Sequence, residues 1–229
     1  MYKGLLIDLG NTIIYNQEFD FVKGLECLYE HAINPEVPLE QFLSFTKQMT
    51  KNTYDNREQL EINFKNLLNY LKIYWDLNFD INLDDLEIEF LKACEKVELI
   101  PGVEQVLEFF HQNKAKIVVL SNSTFSHQAL LAQIKHLKIS HYFDKLLSSS
   151  DLVFRKPHHY FFELGLKSLK CRKDEILYIG NDYYFDIQGA SSAGIPCCWY
   201  NEQGLTNEKK INCIEVKSYF ELLDYLRNL

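Results

Sequence analysis

Four short segments carry residue types that, in their order along the chain, could perform group transfer. The first is Leu5-Leu6-Ile7-Asp8-Leu9-Gly10-Asn11-Thr12, an apolar run closed by a carboxylate and followed by the turn-forming pair Gly10-Asn11. Open parallel sheets bind ligands beyond the carboxyl ends of their strands, so Asp8 stands where a nucleophile would be needed. The plainer alternative is an Asp that caps a turn. In the second, Lys116–Leu120 ends in Ser121, followed by Asn122, Ser123 and Thr124. A hydroxyl beside helix N-terminal N–H groups can bind a phosphate oxygen, although Ser123 and Thr124 read more simply as N-caps. The third is Arg155-Lys156-Pro157, with Pro157 expected in the first turn of a helix and Lys156 beside its start. Alone, such a lysine is ordinarily just solvated. The fourth is Tyr178-Ile179-Gly180-Asn181-Asp182-Tyr183-Tyr184-Phe185-Asp186. Asp182 and Asp186, four apart, could share one face of a helical turn. Clustered oxygens suit magnesium, which keeps several waters; in isolation two such acids would more simply favour a helix dipole.

These segments need a scaffold that brings strand ends together. Apolar runs of strand type recur at Gly4–Leu9, Lys116–Leu120, Lys145–Ser148, Ile176–Ile179, Pro196–Trp199 and Cys213–Val216. Helical periodicity lies between the later ones, over Phe125–Leu137 and Tyr160–Leu169. Alternation of this kind predicts an α/β fold, a doubly wound parallel sheet covered on both faces. Ser218-Tyr-Phe-Glu221 is a capping-box pattern that opens a last helix. The stretch Asn16–Leu99 differs. It shows no convincing strand and is dense in helical periodicity, as at Phe64, Leu67, Leu68, Leu71 and Trp75, with Pro35 and Pro38 breaking one helix from the next. It predicts an all-helical insert of four or five helices. The expected organisation is a core of residues 1–15 and 100–229, re-entered at Ile100-Pro101-Gly102 with a helix over Val103–His111, and a helical unit of residues 16–99.

Composition narrows the class. Hydrophobic residues make up 47% and charged residues 24% of the 229, which is ordinary for a globular protein. A net charge of -8 argues against a general nucleic-acid binder, but not against a phosphorylated substrate, because a bound cation reverses the local field. Six cysteines without a C-x-x-C pair argue against zinc and for a reducing compartment, with Cys197 and Cys198 read as buried strand residues. Neither a signal peptide nor a membrane-spanning run is evident, so a soluble, cytoplasmic protein, monomer or homodimer, is expected.

In order, at four successive strand ends, the motifs resemble those of the haloacid dehalogenase-like hydrolase superfamily, in its phosphatase-type form with a helical cap. The resemblance covers about Met1–Tyr15 and Ile100–Asn201, and the helical stretch sits where that family inserts its cap. It implies that Asp8 attacks phosphorus to form an aspartyl-phosphate, splitting one hard displacement into two easier ones. It gives Ser121, with Asn122 beside it, the phosphoryl oxygens, and Lys156 the charge on nucleophile and phosphoryl group. It gives magnesium to Asp8, the Gly10 carbonyl, Asp182 and Asp186. Asp182 is the preferred direct ligand, although the family also writes this motif with an Asp directly after the Gly, where Asn181 stands. The implied substrate is a small phosphorylated molecule.

One position departs from the family pattern. A second Asp normally follows the first by two residues and acts as general acid and base; here Gly10 stands there. Losing such a group commonly costs about 10²- to 10⁴-fold. Asn11, Thr12 or a cap side chain are the local candidates to assist. Gly10 motivates a second reading, a vestigial member that binds a ligand or partner. A third, a metal-free haloacid dehalogenase, fits Gly10 with Asp182 and Asp186 poorly. Tyr15, Gln17, Phe19 and Phe21 follow the first motif as candidate pocket residues, with packing of a hinge as the alternative for Phe19 and Phe21.

Overall fold

The computed structural model describes residues 2–33, 35–55 and 61–229; Asn34 and residues 56–60 of the expected insert lie outside them. Six strands form one parallel sheet: β1 (Gly4–Ile7), then β4 (Lys116–Ser121), β5 (Lys145–Ser148), β6 (Ile176–Gly180), β7 (Cys197–Tyr200) and β8 (Ile214–Val216). Their order is β5-β4-β1-β6-β7-β8. The chain therefore runs outward from β1 to one edge and returns to build the other side, which leaves a switch point beside β1.

Side chains alternate between the two faces, because successive Cβ atoms on a strand point oppositely. Leu5, Ile7, Ile117, Val119, Leu177 and Ile179 enter one core cluster. Leu6, Val118, Leu120, Ile176 and Tyr178 enter the other. Helices α5 (Val103–Gln112), α6 (His127–His136) and α9 (Tyr219–Arg227) cover the first face. Helix α7 (His159–Leu169) and the short α8 (Gly189–Ser192) cover the second. With both faces buried, the strands read as apolar runs rather than alternating ones. Cys197 and Cys198 are buried in β7.

Between β1 and α5 the chain builds α1 (Phe21–Glu30), α2 (Leu39–Asp55), α3 (Phe64–Tyr74) and α4 (Leu83–Cys94), which surround a separate apolar cluster that includes Leu25, Phe42, Phe64, Leu68 and Phe90. The expectation of no strand in this region is corrected. An antiparallel ribbon of β2 (Ile14–Phe19) and β3 (Glu95–Leu99) joins the helices to the sheet. Its residues are largely polar and half-exposed, so its pairing rests on backbone bonds between distant segments and leaves little hydrophobic signature.

Two helix starts also move. Ser126, not Ser123 or Thr124, caps α6 through Ala129 N; Ser123 instead accepts from Phe125 N within a turn. Pro157 precedes α7 rather than entering its first turn, because Arg155–His158 closes a turn and His158 is the cap. At α9, Ser218 caps Glu221 N as expected, while the Glu221 carboxylate reaches back to Lys217 N. No helix among the described residues is long and apolar enough to cross a membrane.

Candidate active site

Asp8 follows β1, and its backbone N–H donates to Ile179 O at 3.0 Å, which sets it level with the end of β6. From the loop after β5, the Lys156 ammonium reaches Asp8 Oδ1 and Asp186 Oδ1, each at 2.6 Å, and the Tyr178 hydroxyl oxygen at 3.1 Å. Three donors thus meet three acceptors, the full capacity of an ammonium group. The Tyr178 hydroxyl in turn donates to Asp186 Oδ1 at 2.6 Å. Lys156 is only 2% exposed. An isolated ammonium there would carry a desolvation penalty of several kcal/mol, which the flanking carboxylates offset.

Each member is braced. Asn122 holds the backbone of Lys156 at both ends: its Oδ1 accepts from Lys156 N at 2.7 Å and its Nδ2 donates to Lys156 O at 3.0 Å. That occupies the Asn122 side chain, so any contact of this residue with a substrate falls to its backbone N–H. Asp186 sits in a π-type turn, Tyr183–Gln188, and its Oδ2 accepts from Asp182 N at 3.0 Å. A Cβ on Gly180 would come within 2.5 Å of Asp186 Cβ, so only glycine lets that carboxylate approach the strand end. Asp182 is the N-cap of the turn, its Oδ1 accepting from Phe185 N at 2.7 Å. Thr12 Oγ1 lies 2.9 Å from Asp8 Oδ2 and 3.0 Å from the Asn181 amide oxygen. A hydroxyl has one proton to donate, so the Asn181 amide, turned over, would supply the second bond through its Nδ2.

Electrostatics follow from this burial. Desolvation lifts the Asp8 carboxyl to about 6, against the pull of Lys156. Desolvation works to lower the Lys156 ammonium, but Asp186 and Asp8 outweigh it and hold it above its usual value. Asp8 therefore ionises near neutral pH beside a fixed cation.

These groups line one cavity of about 360 Å³, together with Gly10, Asn11, Ser121, Asn122, Arg155, Asn181 and Asp182. Of the residues picked from the sequence, Asp8, Gly10, Ser121, Asn122, Lys156, Asp182 and Asp186 border it, and Asn11 does too, whereas Thr12 and Thr124 do not line it. Of the four pocket candidates, Phe19 lines it and is half-exposed. Phe21 packs edge-on against Phe90, the Tyr15 hydroxyl donates to Glu98, and Gln17 faces a different cleft. Tyr178, Glu95 and Gln133 carried no signal in the sequence: the first reads as a core aromatic, and the others lie far apart on elements that meet only in the fold.

Asp8, Gly10, Asn181 and Asp182 line this cavity and between them carry carboxylate, backbone-carbonyl and amide oxygens, hard donors of the kind suited to magnesium; one Asp182 oxygen is taken by capping Phe185 N. Among the described residues no three acidic, His or Cys side chains form a metal-holding cluster, so a magnesium ion here would depend on backbone and amide oxygens and on water beside the carboxylates.

A doubly wound sheet with a buried carboxylate–lysine–carboxylate cluster at its switch point is the architecture of an α/β enzyme. A family model described as haloacid dehalogenase-like hydrolase matches residues 5–200, and the chain belongs to that family. It is 25% identical over 231 residues to a pyrimidine 5'-nucleotidase of Streptococcus pneumoniae, covering 98% of this chain and 95% of that one. It is 27% identical over 126 residues to an (S)-2-haloacid dehalogenase of a Pseudomonas species, covering 55% of this chain and 54% of that one. A phosphatase of this superfamily from Thermococcus onnurineus superposes with a TM-score of 0.67 at 17% identity, covering 98% and 97% of the two chains.

Proposed function

We propose that this hydrolase is a magnesium-dependent phosphatase of small phosphorylated metabolites, with Asp8 as nucleophile. The observation that carries the reading is the Lys156 ammonium held 2.6 Å from both Asp8 and Asp186 in a cavity shared with Ser121. Full-length similarity to a nucleotidase supports a phosphate ester over other substrates. The helical unit of residues 16–99 would act as a cap over the core of residues 1–15 and 100–229.

In this mechanism an Asp8 carboxylate oxygen attacks phosphorus and the bond to the leaving oxygen breaks, giving an aspartyl-phosphate that water then hydrolyses. Thr12 and Lys156 hold the two Asp8 oxygens in place. Ser121 and the Asn122 N–H bind phosphoryl oxygens, and Lys156 compensates the charge that collects as nucleophile and phosphate meet. Magnesium, when bound, neutralises phosphate charge and orients the reacting oxygens; Asp8, the Gly10 carbonyl and Asp182 would hold it, with Asn181 as a further oxygen donor. Asp186 would act from behind, fixing Lys156 and the Asp182 backbone.

The test is hydrolysis of p-nitrophenyl phosphate and a panel of phosphometabolites, with a haloacid alongside. Turnover of an ester should require magnesium, stop in EDTA and return when the metal is restored. Full activity in EDTA overturns the metal-dependent mechanism. Absence of turnover on every ester favours the second reading, a binding protein, for which Gly10 is the motivating observation.

Gly10 also gives a prediction of opposite sign. The residue is not in the left-handed region, and an added Cβ would meet nothing within 4 Å. Gly10→Asp is therefore expected to fold normally and to place a carboxyl at the mouth of the site. It should raise turnover of an alkyl phosphate on the order of 10²-fold by protonating the leaving oxygen. The gain on an aryl phosphate, whose leaving group needs little protonation, should be smaller. Equal rates for both proteins on both esters would mean that another group already serves as the acid.

A further inference from the structure

One buried carboxylate of the insert reaches the core loops that carry Ser121 and Lys156, and the proposed mechanism does not use it. Residues 61–64, which lead into α3, lie against the loops after β4 and β5. Glu61 N donates to Val153 O at 3.4 Å, Asn63 Nδ2 to Ser150 O at 3.0 Å and Phe64 N to Thr124 O at 2.9 Å. The Glu61 side chain is 0% exposed, and its Oε2 lies 3.4 Å from Nε of Arg155, whose side chain is 9% exposed. The same oxygen accepts from Ser149 Oγ at 2.8 Å. Ser149 Oγ in turn accepts from Ser123 N at 2.9 Å. Ser123 follows Asn122, and Arg155 precedes Lys156 and lines the cavity above Asp8. The carboxylate therefore joins the two segments that carry the phosphate-binding groups. A buried ion pair gains little over apolar side chains of the same volume, but either charge left alone is costly, so the pair commits both segments to one arrangement.

We propose that Glu61 is a positioning residue for the phosphate site: from the insert, its carboxylate holds the Ser121–Ser123 and Arg155–Lys156 segments at the spacing a phosphoryl group requires. The inference rests on the phosphatase reading, which assigns those segments to the phosphate. The nucleophile has separate supports. Asp8 accepts from Thr12, and the Lys156 ammonium is fixed by Asp8, Tyr178 and Asp186. Loss of the Glu61 charge should therefore loosen the hold on phosphate more than it displaces the attacking oxygen, raising KM with little change in kcat. Glu61→Gln keeps the size and can still accept from Ser149, but it removes the charge that stands 3.4 Å from Arg155 Nε. Ser149→Ala cuts the second link, from Glu61 to Ser123 N.

The test measures the Kd of inorganic phosphate by calorimetry, with magnesium present, for the parent, Glu61→Gln, Ser149→Ala and Glu87→Gln. Glu87 is the control: it is an equally buried carboxylate that ties the insert to the core, accepting from Ser126 N and Oγ at the start of α6. Glu61→Gln and Ser149→Ala should each weaken phosphate binding by roughly 10-fold, as when a support is removed from behind a binding group. Glu87→Gln should stay within about 2-fold of the parent, so a general loosening of the insert does not mimic the pattern. On p-nitrophenyl phosphate, KM should rise by the same factor as Kd while kcat changes by less than about 3-fold. Ser149→Ala carries the test alone if Glu61→Gln fails to fold. Kd values unmoved in Glu61→Gln and Ser149→Ala, an equal weakening in Glu87→Gln, or no phosphate binding by the parent overturns the positioning role. Absent p-nitrophenyl phosphate hydrolysis by a parent that binds phosphate overturns the phosphatase reading alone.

Discussion

Lys156→Met should lower the stability of the protein by about 3–5 kcal/mol, the cost of breaking a buried ion pair from one side. Methionine keeps most of the stem and removes the charge. Asp8 and Asp186, 6% and 1% exposed, would then face each other with no cation between them, and Tyr178 would lose a partner. For a chain of this length the melting temperature should fall by about 6–20 °C. The deficit should depend on pH with a definite sign. In the parent Asp8 ionises at about 6; without the ammonium its ionisation is pushed higher still, so the gap between variant and parent should open above about pH 6 and shrink as pH falls to that value, below which Asp8 is protonated in both folded proteins. Adding Asp186→Asn should recover part of the loss, because one unpaired charge is removed. Calorimetric melting curves of the three proteins decide it. A Lys156→Met protein within 1 °C of the parent would show that the ammonium is not the group that compensates these carboxylates.

Asp8→Asn should separate chemistry from folding. The amide keeps the size of the carboxyl and can still accept from Thr12, and the remaining Lys156–Asp186 pair stays intact at 2.6 Å. Because desolvation already lifts Asp8 to about 6, neutralising it forfeits little folding energy. Turnover, by contrast, should fall on the order of 10⁴-fold or more, as expected when a nucleophile is removed. The decisive pair of measurements is kcat on the best ester from the panel and the melting temperature. Retained turnover in Asp8→Asn would remove Asp8 from the nucleophile role. A melting temperature lowered as far as that of Lys156→Met would make its effect on turnover uninterpretable as chemistry.

Several features were legible in the residues alone because they depend on local pattern. Apolar runs at Lys116–Leu120, Ile176–Ile179 and Pro196–Trp199 read as strands since both faces of a parallel sheet are buried. The runs that begin at Gly4, Lys116 and Ile176 lead to Asp8, Ser121 and Gly180, so these strand ends are readable from local pattern. Other features were not legible. The polar ribbon of Ile14–Phe19 and Glu95–Leu99 carries little hydrophobic signal, and its register depends on a partner most of the insert away. The start of α6 at Ser126 was hidden among Ser123, Thr124 and Ser126, all competent caps; Glu87, which accepts from Ser126 N and Oγ, is a contact that only the packed insert provides.

By itself the sequence determined which residue types stand at the strand ends, because hydrophobic periodicity and turn chemistry are short-range properties of the chain. It also determined the missing carboxylate at Gly10, a fact of composition that no fold can restore. Tertiary structure alone decided how those residues divide their work. It placed the Lys156 ammonium between Asp8 and Asp186, recruited the hydroxyl of an apolar-looking Tyr178, and turned Asp182 into the cap of the turn that carries Asp186. It also brought Glu61 of the insert against Ser149 and Arg155 of the core. The physical reason is range: hydrogen bonds and ion pairs act over about 3 Å, and which groups come that close depends on packing across the sheet and insert rather than on neighbours in the chain.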